Sequence, residues 1–146
     1  MKVKHLTPQF VESFPARLEQ GELYLAMEFA TAAHLCACGC GTKVITPFSP
    51  TDWQMSFDGE NVSLKPSVGN WAFPCRSHYW VRSGRIEWAG DMSQEEINAG
   101  RKLDVEAKAR AQTGKPSSNL QQPLPTAQPP LRAPSLLGKL RQWLGL

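Results

Sequence analysis

Apolar and polar residues alternate most regularly over Glu22–Phe29 (ELYLAMEF). Leu23, Leu25, Met27 and Phe29 fall on one side, and Glu22, Tyr24, Ala26 and Glu28 on the other. A period of two predicts a strand with one face buried. Thr31–Cys36 and Lys43–Thr46 read as a second and a third strand. Trp53–Phe57 and Val62–Leu64 flank Asp58-Gly59, while Arg76–Val81 and Arg85–Trp88 flank Ser83-Gly84. Both dipeptides suit tight hairpins, and at Asp58-Gly59 the expected turn is type I′, with positive φ at both central residues. Short strands separated by Pro and Gly predict a mainly β (α+β) fold, a small antiparallel sheet or half-barrel. A helix is expected around Pro8–Glu19, interrupted by Pro15.

The pattern changes after residue 92. Ser93 precedes Glu96 by three, the spacing of a capping box, and the following EEINAGRKLDVEAKARA is rich in helix formers. Its apolar face is thin, Ile97 and Val105 with Leu103 off to one side, which predicts a surface helix over 93–112 docked on the core. From Thr113 to Ser135 there are six prolines and only two charged residues, Lys115 and Arg132. Proline lacks an N–H and disfavours helix in the residue before it, so 113–134 reads as a disordered Pro-rich linker. Residues 135–146 (SLLGKLRQWLGL) place Leu136, Leu137, Leu140, Trp143 and Leu144 at helical spacing. The expected short amphipathic helix would dock on a partner protein or another copy, fold back on its own domain, or lie on a membrane surface; docking is the favoured use.

Composition places the core. All four cysteines, all three histidines and four of the five tryptophans lie within residues 1–92. Large apolar side chains are what a core needs, so 1–92 is expected to be the folded domain, with Trp53, Trp71, Trp80 and Trp88 inside it. That segment carries 8 Lys and Arg against 9 Asp and Glu, whereas 93–146 carries 8 against 4. The overall charge of +3 is too mild to make nucleic acid the default partner. No run approaches the roughly 20 apolar residues that span a bilayer, and the N-terminus shows no secretory pattern. A cytoplasmic protein is expected, whose cysteines serve as thiolates rather than disulfides.

Cys36-Ala37-Cys38-Gly39-Cys40-Gly41 puts three thiols within five residues, and Cys75 follows 35 residues after Cys40 with His78 at C-x-x-H spacing. A glycine-rich turn lets thiolates converge, because glycine removes bulk and tolerates positive φ. Tetrahedral zinc takes four Cys or Cys/His ligands, usually from two separated segments. The ligands are expected to be Cys36, Cys38, Cys40 and Cys75, with His78 as an alternative.

A four-thiolate metal would be closed and structural, which turns attention to the nearby His and Ser residues. If Cys36 and Cys75 faced each other in an antiparallel pair, His34 would face Ser77 on the same side of the sheet. That is the minimum for a Ser/His nucleophile pair, with Asp52 on the Ser49–Asp52 turn as orienting carboxylate. Ser67, in Ser67-Val68-Gly69-Asn70-Trp71, is the alternative nucleophile, with Gly69 and Asn70 as oxyanion donors. His78 is open between ligand, base and buried hydrogen-bonding residue. His5 has no visible partner.

His34–Gly41 (HLCACGCG), Ser49–Trp53 (SPTDW), Phe57–Glu60 (FDGE), Pro66–Trp71 (PSVGNW) and Pro74–Trp80 (PCRSHYW) together resemble a family of small bacterial zinc-binding proteins of formerly unknown function. The likeness runs over about residues 20–90. Its members sit beside ubiquitin-like proteins and E1-like and E2-like enzymes in operons connected with antiphage defence. The resemblance implies a peptidase-like role: trimming a ubiquitin-like protein or releasing it from conjugates. The expected function is therefore a zinc-containing serine-type hydrolase of a ubiquitin-like protein, with Ser77, His34 and Asp52 as its machinery and E1-like or E2-like enzymes as further partners. A zinc-stabilised, non-catalytic adaptor of the same pathway is the alternative, and a hydrolase using metal-bound water a third.

Overall fold

The computed structural model describes residues 1–114. The expected linker (113–134, apart from Thr113 and Gly114) and the expected helix over 135–146 lie outside the described residues. Eight strands form two four-stranded sheets. The first is ordered β1 (Thr7–Phe10), β2 (Glu22–Ala26), β3 (Thr31–Leu35), β4 (Lys43–Pro47). The second is ordered β5 (Gln54–Phe57), β6 (Val62–Gly69), β7 (His78–Arg82), β8 (Arg85–Trp88). Every neighbouring pair is antiparallel except β1 with β2. The fold is mainly β, with one helix, α1 (Gln94–Gln112), among the described residues.

The inner faces of both sheets feed one core. Leu23, Leu25, Ala32 and Val44 of the first sheet cluster with Val62, Leu64, Val68, Tyr79 and Val81 of the second. Burying each of these larger apolar side chains contributes about 1.5–3 kcal/mol, the main favourable term in so small a domain. A second, smaller cluster (Leu18, Tyr24, Ala33) lies on the opposite face of the first sheet. β2 is therefore covered on both sides, and Leu23, Tyr24, Leu25 and Ala26 are all buried. The alternation expected through Phe29 stops at Ala26. Met27–Phe29 form a 3₁₀ turn ended by Ala30 in the left-handed region (φ 45°), and Met27 and Phe29 are exposed.

The expected helix over Pro8–Glu19 is absent. Thr7–Phe10 instead lies parallel to β2 as an edge strand, its flanks tied by Thr7 N–H to Gly21 O and Val11 N–H to Leu25 O. Val11, Phe14 and Leu18 imitate a helical spacing, but they reach the smaller cluster from an irregular segment. Pro8 and Pro15 each remove a donor that a helix would need, and an edge strand tolerates that loss better. The two hairpins also differ. At Ser83-Gly84 both residues have positive φ (45° and 74°), as a type I′ turn requires. At Asp58-Gly59 only Gly59 does, and the loop runs from Asp58 to Asn61, with the Asp58 carboxylate accepting from the N–H groups of Glu60 and Asn61.

α1 starts as its sequence predicts. Ser93 Oγ accepts from Glu96 N–H and the Glu96 carboxylate accepts from Ser93 N–H, a reciprocal cap worth about 1 kcal/mol. Only Ile97 is buried, whereas Leu103 and Val105 are exposed. No helix among the described residues is long and apolar enough to cross a membrane.

Candidate active site and metal centre

The four cysteines converge. Cys36, Cys38 and Cys40 lie on the turn that follows β3, and Cys75 lies on the loop between β6 and β7. Their sulfurs all lie within 4.8 Å of one another. Gly39 and Gly41 take positive φ (87° and 76°), which lets the turn curl its thiols inward. A tetrahedron of thiolates around a metal, with M–S near 2.3 Å, has S···S edges of about 3.8 Å. The observed Cys36–Cys38, Cys36–Cys75 and Cys40–Cys75 separations are 3.4, 3.9 and 3.9 Å. All four cysteines are free of disulfides. The donor set and its spacing fit a tetrahedral metal ion.

Charge makes the same point. Burial pushes the Cys38 thiol up to about 12, while the Thr42 hydroxyl and backbone N–H pull Cys40 down to about 6. Sulfurs this close cannot all ionise unless a cation neutralises them. Outer hydrogen bonds support the site: Asn70 Nδ2–H donates to Ser77 Oγ at 2.8 Å and reaches Cys36 Sγ at 3.6 Å, and Ser77 Oγ lies 3.0 Å from Cys36 Sγ.

The register expected between Cys36 and Cys75 does not form, because β3 pairs with β2 and β4 and β7 with β6 and β8. The cysteines meet across the two sheets instead. His34 therefore does not face Ser77. His34 is fully buried, its Nε2 2.8 Å from the Tyr79 hydroxyl and its Nδ1 without a partner. Burial lowers its pKa to about 4, so the ring is neutral at pH 7. Burial likewise raises the Tyr79 hydroxyl. Ser77 is committed to Asn70 and Cys36, and Asp52 bonds Lys108 and Ser49. Among the described residues, no hydrogen bond links Ser77, His34 and Asp52 to one another.

A different serine meets a different histidine. Ser67 Oγ lies 2.8 Å from His78 Nε2, and His78 Nδ1 lies 2.8 Å from Gly90 O. A carbonyl oxygen only accepts, so Nδ1 carries the proton and Nε2 accepts from the Ser67 hydroxyl. Both side chains are half-buried on the outer face of the second sheet. Strand alternation puts both there, on the face opposite to that of the buried Val68 and Tyr79. A bulge intervenes, since Leu64 pairs with Val81 and Val68 with Tyr79, so Lys65, Pro66 and Ser67 together oppose Trp80 alone. The two-residue shift keeps Ser67 on the outer face and sets Gly69 directly opposite His78. Bulges are over-represented beside active sites. The Trp71 ring packs 4.9 Å from the His78 ring, and the Arg76 guanidinium lies 5.5 Å over Trp71. A Cβ at Gly69 would meet Trp71 Nε1 at 2.5 Å, so the indole needs glycine there. Arg76 also binds the Asp91 carboxylate and Met92 O, flanking the carbonyl that orients His78.

A family model described as bacterial ubiquitination-like system serine protease (BubE) matches residues 10–89. The chain belongs to this family. The match holds all four cysteines, Ser67 and His78, and it ends one residue before Gly90. No curated protein and no solved structure matches the chain.

Within this BubE domain, several sequence expectations move. Asn70, expected as an oxyanion donor, has spent its N–H on Ser77 O and its amide on Ser77 Oγ. None of the four tryptophans is fully buried, and of them only Trp53 packs against the core; Trp71 and Trp80 lie on the outer face of the second sheet. His5 does find a partner, Asn61 Oδ1, at 3.2 Å. Gly90, Arg76 and Tyr79 were missed, since nothing in their local pattern marks a role. Pro66 was the available signal for the bulge, because a proline inside a strand pattern marks an edge or a bulge.

Proposed function

We propose that this protein is a serine hydrolase in which Ser67 is the nucleophile and His78 the general base, cutting the C-terminal tail or a conjugate bond of a ubiquitin-like protein. The observation that carries the reading is the 2.8 Å contact of Ser67 Oγ with a His78 imidazole whose other nitrogen is fixed by Gly90 O. As Ser67 attacks the carbonyl, its proton passes to Nε2; His78 then returns it to the leaving group. The Gly90 carbonyl fills the orienting role that a carboxylate has in a triad. The backbone N–H of Gly69 is the candidate oxyanion donor.

Membership of a family of bacterial ubiquitination-like system serine proteases supports the protease role and the pathway. In this reading the four-cysteine centre holds zinc and is structural, with Cys36, Cys38, Cys40 and Cys75 as ligands. Four thiolates close the coordination sphere and leave no position for a reacting water. Cys75 anchors the loop that joins the nucleophile strand to the base strand, so the metal holds the pair in register. A cytoplasmic protein working beside E1-like and E2-like enzymes in antiphage defence fits the same reading.

The test is covalent. A fluorophosphonate probe should add one adduct to the full-length protein, mapped by peptide mass spectrometry to Ser67 and lost in Ser67→Ala. An adduct on Ser77 would transfer the role to that residue. Absence of any adduct on folded, metal-loaded protein would favour the adaptor reading.

A further inference from the structure

Resting on the assignment of Ser67 and His78, we propose that the trough beside them binds an extended stretch of the substrate polypeptide, with Trp80 as its floor and Lys65 as the contact for an acidic side chain. The trough encloses about 730 Å³ on the outer face of the second sheet, within the size range of ligand sites. Its wall includes Lys65 and Pro66, the two residues before Ser67, and Trp80, two residues after His78 on β7. Ser67 and His78 do not line the trough; it is their neighbours along β6 and β7 that do. Strand residues two apart are separated by about 6–7 Å, so His78, Trp80 and Arg82 mark successive steps along β7. An extended peptide advances at the same rate, and its alternate side chains would meet Trp80 and then Arg82.

The shape suits polypeptide rather than a compact ligand, because the trough is open and spreads over three neighbouring strands, β5, β6 and β7. Its chemistry is also uneven. Asp52 is bound to Lys108 at 2.8 Å, and Arg82 to Glu87 at 3.1 Å, with the Arg82 guanidinium 5.0 Å over the Trp80 ring. Lys65 is exposed and has no ion pair among the described residues. Lys108 is shared between Asp52 and Asp104, so the Asp52 wall keeps one negative charge, and Lys65, two residues before the nucleophile, is the unpaired cation of the lining among the described residues. An apolar side chain over Trp80 and a carboxylate at Lys65 are the complementary features of the occupant.

The experiment reads binding without chemistry, on full-length Ser67→Ala titrated with two fluorescein-labelled hexapeptides, one alternating Leu and Glu and the other Leu and Lys. The Leu-Glu peptide should bind about tenfold more tightly. Lys65→Glu should reverse that order, and Trp80→Phe, which keeps an aromatic floor, should weaken both peptides by less than Trp80→Ala does. Equal affinities, no binding of either peptide, or an order unchanged by Lys65→Glu would overturn the proposal. Residual cleavage by Ser67→Ala would instead remove the nucleophile assignment while leaving the peptide preference intact.

Discussion

The hairpin of β6 and β7 carries two sets of reactive side chains on its two faces, and the faces use them differently. On the inner side, Ser77, Asn70, Tyr79 and the facing His34 are buried and bonded to one another or to Cys36. On the outer side, Ser67 and His78 are half-buried and bonded to each other, and their strand neighbours Lys65, Pro66 and Trp80 line a trough. Serine and histidine occur on both faces, so residue type does not separate them. Access does: the Ser77 hydroxyl is buried and held by Asn70 beside the cysteine cluster, whereas Ser67 is half-buried on the outer face. In the proposed reading the inner face holds the frame and the outer face carries the chemistry.

Metal removal should have the largest effect. A structural site contributes on the order of 10 kcal/mol, so a strong chelator should unfold the domain and abolish activity, with recovery only on refolding with zinc. Circular dichroism and activity followed together test this. Activity that returns on simple metal addition to a still-folded domain would move the metal from frame to chemistry. Next comes the serine exchange. Ser67→Ala should lower kcat by at least about 10³-fold with stability unchanged. Ser77→Ala should cost about 1–3 kcal/mol in a denaturant titration, because Asn70 loses a buried partner, while keeping most activity. Similar kinetic losses in both variants would erase the distinction between the faces.

His34 gives a smaller, pH-dependent effect. Its pKa falls from 6.5 to about 4 on folding, so below pH 6.5 the unfolded chain takes up a proton that the folded one refuses. Its contribution to stability is complete above 6.5 and declines as the pH falls toward 4, by at most about 3 kcal/mol. The stability gap between wild type and His34→Gln should therefore shift in the variant's favour between pH 7 and 4.5. A gap independent of pH would mean the ring is not held neutral. Lys108→Ala should matter least. Lys108 holds the Asp52 carboxyl below its usual range, but the pair is solvated and worth a few tenths of a kcal/mol by thermal melting. A loss of activity as severe as that of Ser67→Ala would restore Asp52 to the catalytic machinery.

Much of this protein is legible along the chain. The β-rich class, the hairpin at Ser83-Gly84, the capped start of α1 and the cysteine cluster all follow from local causes: alternation, turn dihedrals, a reciprocal cap and ligand spacing. Two kinds of feature were decided only by tertiary structure. Thr7–Phe10 became a strand because β2 offered it backbone partners, and β2 lost its alternation because both of its faces are covered. The pairing of serine with histidine depended on which strands lie side by side. His34 and Ser77 fit a register that the chain does not adopt, since His34 lies on β3 and Ser77 just before β7, strands of different sheets. Ser67 reaches His78 because β6 and β7 are neighbours and both residues lie on the outer face; the bulge shifts the ladder by two residues, which preserves that face and makes their contact diagonal. Local chemistry fixes which residues can react, but the ladder and its irregularities determine which of them meet.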